Sequence, residues 1–423
     1  MQRQRHFGIL TYTVNDRFKK MMIILVIILV LLAAIVITLL VVLLHHRGSE
    51  DTSTTTKIAL NSIPTTKIPV TTQNSNPNSK GTTANPEKTT VTSEPAVKTP
   101  YPAPPTDPVE TTAPPAPDIP RCAPSPPPNP PYLFAYSNDL SPNVVSLTAD
   151  TFFDALDKDG SSYATVRFDT SPEDPVYFAP DTSSVHSIVN GRLPNPALSF
   201  KTTAIGSDII KTIERYYTSA VQHGFSTCGA IIVILLKRLP TETDISDIVA
   251  KIRANSGLVL VLTSTSPSGG DQPKTAYRIA SKTNGMGIFV DDAKLRQHID
   301  RAPIFGVRPI YCANVQVSDL DFYQLPNFNV PRNVPRLNRV SFTVQDHGPI
   351  DSFQRLELKF SDITNATLVT KIAVEAEDVR KLGSTGYSTW LGFVAGDEYR
   401  TEIDCDYTSD DIEELQIRVQ TYE

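Results

Sequence analysis

From Met21 to Leu44 every position is apolar except Thr38, giving an unbroken hydrophobic run of 24 residues. As a helix rising 1.5 Å per residue it reaches about 36 Å, enough to cross a hydrocarbon core of about 30 Å with some tilt. A cleavable signal peptide has a shorter apolar region, about 7 to 15 residues. No small-residue cleavage site follows before His45-His46-Arg47. The run therefore predicts a retained transmembrane helix over 21–44, in contact with a lipid bilayer. Residues 1–20 carry Arg3, Arg5, Arg17, Lys19 and Lys20 against one acid, Asp16. Excess Lys and Arg stay inside, which predicts a short cytoplasmic N-terminal tail in the plasma membrane and an outer portion from residue 45 to the C-terminus.

The pattern then changes twice. Residues 45–131 have no hydrophobic periodicity, and from residue 48 onward this stretch holds 20 of the 35 prolines, 17 threonines and one aromatic, Tyr101. Such a stretch buries too little apolar surface to offset the entropy of ordering, so it reads as an extracellular stalk. Ser/Thr/Pro tracts of this kind are typical of O-glycosylated spacers, and a plain linker without sugar has the same composition.

From Tyr132 onward short apolar runs alternate with helical spacing. Tyr132–Ser137, Tyr163–Phe168, Val176–Phe178, Ala230–Leu236, Leu258–Leu262 and Met286–Val290 read as strands. Leu147–Leu156, with Thr148 as N-cap, Gly206–Val221, Thr243–Asn255, Pro273–Thr283 and Asp291–Ile299 read as helices. The run Ala230-Ile-Ile-Val-Ile-Leu-Leu236 is apolar at consecutive positions, as a parallel strand covered on both faces requires. Residues 132–301 thus predict a doubly wound α/β domain with a mostly parallel sheet and one hairpin edge strand. A binding site in such a domain lies at the carboxyl ends of the strands. Residues 302–423 change texture again. Val307–Val317, Arg339–Val344, Arg355–Phe360, Thr367–Val374, Trp390–Val394, Tyr399–Cys405 and Leu415–Tyr422 read as seven short strands of an antiparallel β-sandwich.

Charge and motifs narrow the chemistry. The net charge of −6 divides into +4 for residues 1–20 and −10 for the remainder, which argues against nucleic acid as a partner. There is no nucleophile elbow, no His-Glu-x-x-His, no phosphate-binding glycine loop and no Cys-x-x-Cys, so no enzymatic activity and no cofactor are expected. His186, His223, His298 and His347 read as surface or loop residues. The acidic stretch Asp397–Glu414 includes Asp404, Asp406, Asp410 and Asp411, which read as solvated rather than as Ca²⁺ ligands. Asn365-Ala-Thr is the one sequon outside the membrane, and Asn365 is expected to carry glycan. Four cysteines, Cys122, Cys228, Cys312 and Cys405, lie in the oxidising compartment; two disulfides are expected, with three pairings open.

The order of elements over about Pro131–Arg301, with Ile248–Leu262 and the closing stretch Tyr277-Arg-Ile-Ala-Ser-Lys-Thr-Asn-Gly-Met-Gly-Ile-Phe-Val-Asp-Asp, resembles a von Willebrand factor A domain. Many such domains bind Mg²⁺ or Mn²⁺ through an Asp-x-Ser-x-Ser loop after the first strand, a Thr before the third helix and an Asp after the fourth strand. Here the first loop reads Ala135-Tyr136-Ser137-Asn138-Asp139, Thr203 matches the Thr, and Lys237 stands at the last Asp. An ammonium about 4 Å from a divalent cation is strongly unfavourable in a low-dielectric site, so no metal is expected. Ser137, Asp139, Thr203 and Lys237 become candidate ligand-binding residues at the top of the sheet. Lys237 is expected either to pair with Asp139 or to point with Arg238 into water. The resemblance also makes the first and fourth strands neighbours, which implies a Cys122–Cys228 disulfide and leaves Cys312 for Cys405.

Together these features predict a single-pass type II surface glycoprotein that binds an extracellular protein or glycan ligand in adhesion or recognition. The alternative is a structural glycoprotein that assembles with itself in a surface coat or matrix.

Overall fold

The computed structural model describes Cys122 and residues 129–156, 161–300, 307–364 and 366–422. The expected transmembrane helix, nearly all of the stalk and the sequon residue Asn365 lie outside them. Among the described residues no helix is long and apolar enough to cross a membrane.

The first domain runs β1 (Tyr132–Ser137), α1 (Pro142–Asp154), β2 (Tyr163–Phe168), β3 (Tyr177–Ala179), α2 (Thr182–Gly191), α3 (Ile209–Gln222), β4 (Ile231–Leu236), α4 (Ser246–Ala254), β5 (Leu258–Ser264), α5 (Pro273–Lys282), β6 (Met286–Val290) and α6 (Leu295–Asp300). Its six-stranded sheet has the order β3-β2-β1-β4-β5-β6. All neighbours are parallel except the β2–β3 hairpin pair. This is the doubly wound architecture that the alternation predicts. Side chains alternate between two cores. Phe134, Tyr136, Val233 and Leu235 pack with α1, α2 and α6, whereas Leu133, Ala135, Ile232 and Ile234 pack with α3, α4 and α5.

Two local expectations change. The first helix begins at Pro142, not Leu147, because Ser141 Oγ accepts from Val144 N–H and Pro142 occupies the first turn, where its missing donor costs nothing. Thr148 lies inside that helix and donates to the Val144 carbonyl at 2.7 Å. Helix α2, capped by Asp181, has no counterpart in the sequence reading.

The second domain contains β7 (Val307–Val317), β8 (Asp321–Asn329), β9 (Leu337–Thr343), β10 (Phe353–Asp362), β11 (Leu368–Glu375), α7 (Ala376–Leu382), β12 (Gly386–Gly392), β13 (Glu398–Tyr407) and β14 (Glu413–Tyr422). Its two sheets have the orders β11-β10-β13-β8 and β12-β9-β14-β7, and they enclose one core of aromatic and branched side chains. Among the described residues the sandwich has eight strands rather than seven. The extra strand, β8, contains Pro326, which reads against a strand yet is tolerated here because β8 is a sheet edge.

The cysteines divide differently from the expectation. Cys122 and Cys228 are disulfide-bonded with their Cα atoms 5.4 Å apart. Cys312 and Cys405 are free. Cys312 pairs in register with Arg418 on the outer face of one sheet, whereas Cys405 points into the core from the other. Sheets packed face to face stand about 10 Å apart, too far for a disulfide between such positions. Burial pushes both thiols up, Cys405 to about 12, which favours the protonated form of each.

The two domains join at β6, the outermost strand of the first sheet. Its even-numbered residues face β5: Val290 O, for example, accepts from Thr265 N–H. The odd-numbered groups face away, and the sandwich supplies their partners. Gly287 N–H donates to Gln416 Oε1 at 2.9 Å, and Phe289 N–H donates to Thr385 Oγ1 at 3.0 Å. Phe289 O accepts from Thr385 N–H, and Asp291 N–H donates to Gly383 O. Gly285 O accepts from Nε of the fully buried Arg418. The approach is so close that a Cβ on Gly386 would lie 2.9 Å from Ile288, so this position requires glycine. From α5, Tyr277 donates to Glu414 O at 2.5 Å and Ser281 to Glu414 Oε1 at 2.6 Å.

Leaving a buried backbone donor without a partner costs about 1–3 kcal/mol. Gln416→Leu and Thr385→Val, which strand the Gly287 and Phe289 amides, are each expected to lower unfolding free energy by about that amount. Denaturant titration followed by probes in each domain checks this, and both probes should report one shared transition.

Candidate functional site

The carboxyl ends of β1, β4 and β5 form the top of the first sheet, where the candidate residues were expected to meet. Arg238, just past β4, organises this region. Its Nε and Nη2 donate to Asp139 Oδ2 at 2.9 and 2.8 Å. Its Nη1 donates to the carbonyls of Thr202 and Ile205 at 2.9 and 2.8 Å. Ser268, in the loop after β5, adds a hydroxyl to the same Asp139 oxygen at 2.5 Å. That loop closes over the guanidinium, so the side chains of Arg238 and Asp139 are only 4% and 7% exposed. A Cβ at Gly269 would stand 2.3 Å from Arg238 Nη1, so closure requires glycine there.

Lys237 does not pair with Asp139, nor does it point into water. Its Nζ lies 2.7 Å from Asp292 Oδ2 and donates to Ser264 and Ser266 hydroxyls at 3.1 and 3.0 Å. The period of two along a strand explains the difference. Residue 237 continues the face packed by α1, α2 and α6, which Asp292 precedes in the chain. Residue 238 continues the α3 face, reached by the 202–205 loop. The cation that meets Asp139 is therefore Arg238, one residue on, and the reading of Arg238 as solvated is corrected with it.

Ser137 joins a second buried knot that the sequence did not reveal. It donates to Asp169, a residue at φ 60° after β2 that is fully buried. Ser207 Oγ donates to the other Asp169 oxygen at 2.7 Å, and Asp169 N–H donates to Asp208 Oδ1 at 2.8 Å. Burial, then the nearby Asp208 charge, pushes the Asp169 carboxyl well above the usual carboxylate range. Thr203 is exposed on its loop, and its carbonyl accepts from Gly270 N–H at 2.9 Å. Of the four candidates, the structure holds Ser137 and Asp139 together, through Asp139 N–H on Ser137 Oγ at 3.4 Å. Lys237 and Thr203 lie apart from that pair.

The divalent cation implied by the resemblance does not fit these residues. The Asp139 carboxylate already accepts a two-nitrogen contact from a buried guanidinium, and Asp169 favours its neutral form. Breaking a buried ion pair costs about 3–5 kcal/mol before any metal is bound.

A second polar cluster lies where the domains meet. One ligand-type atom each of Asp346, His347 and Glu413 falls within 4.8 Å of the others, a spacing that would suit a metal. The positive charge is already supplied there, by Lys274 Nζ of α5 at 2.9 Å from Asp346 and by His347 at 3.4 Å from Asp346 and 3.3 Å from Glu413. Hydrogen bonds to Asp346 and then Glu413 raise the His347 pKa to about 10. Burial alone would raise the Asp346 pKa, but bonds from His347 and Lys274 outweigh it and bring it to about 2. His347 is thus not a surface histidine. Its partners Asp346 and Asp351 are one and four residues away in sequence, a local signal that its isolation among the histidines obscured. Asp404 is likewise paired, with Arg355 and Lys359 at 3.2 Å, rather than merely solvated.

Residues 313–422, the sandwich from within β7 onward, match the model of a family described as Domain of unknown function (DUF7154). No curated relative matches the chain in sequence. Among solved structures it is similar to a von Willebrand factor type A protein from Catenulispora acidiphila, with 12% identity, 70% of this chain and 66% of that chain covered, and a TM-score of 0.32. It is also similar to proximal thread matrix protein 1 from the mussel byssus, with 14% identity, 45% and 49% covered, and a TM-score of 0.32. BatB from Bacteroides thetaiotaomicron matches at 15% identity, with 40% and 97% covered and a TM-score of 0.27. The chain spans just under two thirds of the first of these proteins and about half of the second. Likenesses this distant leave ligand and activity open.

Two outcomes are expected. Asp139→Asn leaves Arg238 buried without its counter-charge and should cost about 3–5 kcal/mol, and adding Arg238→Met should restore much of the loss. Chemical denaturation of the single and double variants measures both. In the second cluster, the raised His347 pKa gives stability that is full below its unfolded value of about 6.5 and is lost as pH rises toward 10. The lowered Asp346 pKa gives stability present above about 4 and lost as pH falls toward 2. A pH series of melting temperatures should show His347→Gln flattening the alkaline limb and weakening the acid limb, because Asp346 loses its bond from His347 and keeps that from Lys274.

Proposed function

We propose that this chain is a single-pass type II cell-surface glycoprotein whose outer domains recognise a protein or glycan ligand, without metal and without catalysis. The observation that carries this reading is the closed top of the first sheet. Three connections, after β1, before α3 and after β5, are fastened to one buried guanidinium. The outer residues Thr202, Thr203 and Ile205 remain exposed, Ile205 at 45%. A loop surface held by buried charge is preorganised, so binding loses less to ordering entropy. The Cys122–Cys228 bond supports the same reading, because it ties the end of the stalk to the residues just before β4. Tension along the stalk would enter the sheet at its centre.

One observation favours the alternative of a self-assembling coat or matrix protein. The sheet β11-β10-β13-β8 has two edges. Leu368 and Val369 of β11 are exposed at one edge, and Leu320 and Phe322, beside and within β8, at the other. Contact between unlike edges of successive copies would propagate without closing.

Ile205→Glu separates the readings. Under the recognition reading, binding of the full chain to cells or matrix falls at least about tenfold, or about 1.4 kcal/mol, with the melting temperature unchanged. Sedimentation velocity should show a monomer at the same concentrations. Concentration-dependent chains abolished by Phe322→Lys would favour the alternative.

A further inference from the structure

Where the carboxyl ends of β5 and β6 meet the sandwich, the two domains leave a cleft of about 130 Å³ between them. Thr265 and Asp291 line it from the first domain, and Pro349, Ile350, Arg380 and Ser384 line it from the second. Asp291 follows β6, and its Oδ1 accepts from Thr265 Oγ1 at 2.6 Å. Its Oδ2 has no partner among the described residues and stands against Gly383, where a Cβ would lie 2.5 Å from it. Lys294 passes the same point with its Cγ 3.3 Å away, yet it makes no ion pair with Asp291. Arg380, in the last turn of α7, is exposed and also makes no ion pair among the described residues. Two opposite charges thus line one cleft without closing on each other. The walls are held in place by the backbone, through Asp291 N–H on Gly383 O at 2.9 Å. Ser384 is buried, and its Oγ accepts from Gly386 N–H at 3.0 Å, which leaves its own proton to donate.

We propose that this cleft binds a free α-amino acid with a small aliphatic side chain, its ammonium on Asp291 and its carboxylate on Arg380. Each charge on the walls then gains a counter-charge from one guest of no net charge. A simple anion would face Asp291, and a simple cation would face Arg380. An uncharged sugar would supply hydrogen bonds but leave both charges uncompensated. The planar fork of Arg380 suits a two-oxygen contact with a carboxylate, and Ser384 has a proton to donate from the same side. Pro349 and Ile350 give the guest's side chain an apolar wall. Size agrees, since the space equals about four waters at about 30 Å³ each, enough for a small amino acid. A guest that touches both domains also stabilises the folded chain by mass action.

Calorimetric titration and thermal melting of the full chain with L-valine test this. The comparators are N-acetyl-L-valine, which lacks the ammonium, and L-valinamide, which lacks the carboxylate. L-valine is expected to bind saturably and raise the melting temperature, and each comparator to bind at least about tenfold more weakly. Arg380→Gln should weaken L-valine at least about tenfold and erase its advantage over L-valinamide. Asp291→Asn should likewise erase its advantage over N-acetyl-L-valine. Arg380 makes no side-chain bond among the described residues, and an asparagine at 291 can still accept from Thr265. Both variants should therefore melt like the unsubstituted chain when no guest is present. Absence of saturable binding, equal binding of either comparator, or variants that bind L-valine as the unsubstituted chain does would each overturn the assignment.

Discussion

A parallel sheet must end somewhere, and its last strand presents a row of unpaired amides and carbonyls. In this chain that strand is β6, and the β-sandwich covers it. Every outward group described above, from Gly285 O to Asp291 N–H, has a partner drawn from residues 383–385, Gln416 or Arg418. The contact uses hydrogen-bond donors and acceptors on both sides and admits no slack at Gly386, so it fixes position as well as contributing stability. A contact of this kind makes the two domains one body, in contrast to domains linked only by a flexible connection. Lys274 reinforces it from α5 by reaching Asp346 of the sandwich.

A chain that ends in one rigid body can present surfaces in a fixed relation to each other. The loops above the first sheet are fastened by Arg238, and the outer face of the sheet β12-β9-β14-β7 grips β6 through Gln416 and Arg418. Both surfaces depend on arginine for related reasons. The guanidinium stays charged when buried and makes several directional bonds from one plane, so it can organise the loops around Asp139 in one place and hold the Gly285 carbonyl beside β6 in the other. The free thiols of Cys312 and Cys405 lie on different sheets.

Much of the architecture was legible in the sequence because periodicity reports it directly. The doubly wound order, the hairpin edge strand and the sandwich follow from runs and alternations, whereas the Cys122–Cys228 bond was implied only by the resemblance, which makes β1 and β4 neighbours. The face on which a residue lies at the end of β4 was not legible. A strand apolar on both sides carries no alternation from which to assign Lys237 and Arg238, and the partner of Asp139 was misplaced by one residue as a result. Asp169 was missed for a different reason. Its role depends on burial and on Ser207, 38 positions away, which no local pattern encodes. Cys312 and Cys405 show the limit of counting: an even number of cysteines says nothing about which sheet faces they occupy. The cover on β6 was the least visible feature, since Thr385, Gln416 and Arg418 look like ordinary polar positions on surface strands.

The dependence of the structure on that cover is tested most directly by native-state hydrogen exchange of the β6 amides in the full chain. Gly287, Phe289 and Asp291 are predicted to exchange as slowly as Ile288 and Val290, which face β5, because opening them requires global unfolding. Rapid exchange at the three odd positions, with the even ones still protected, would contradict the claim that the sandwich closes the edge of the sheet.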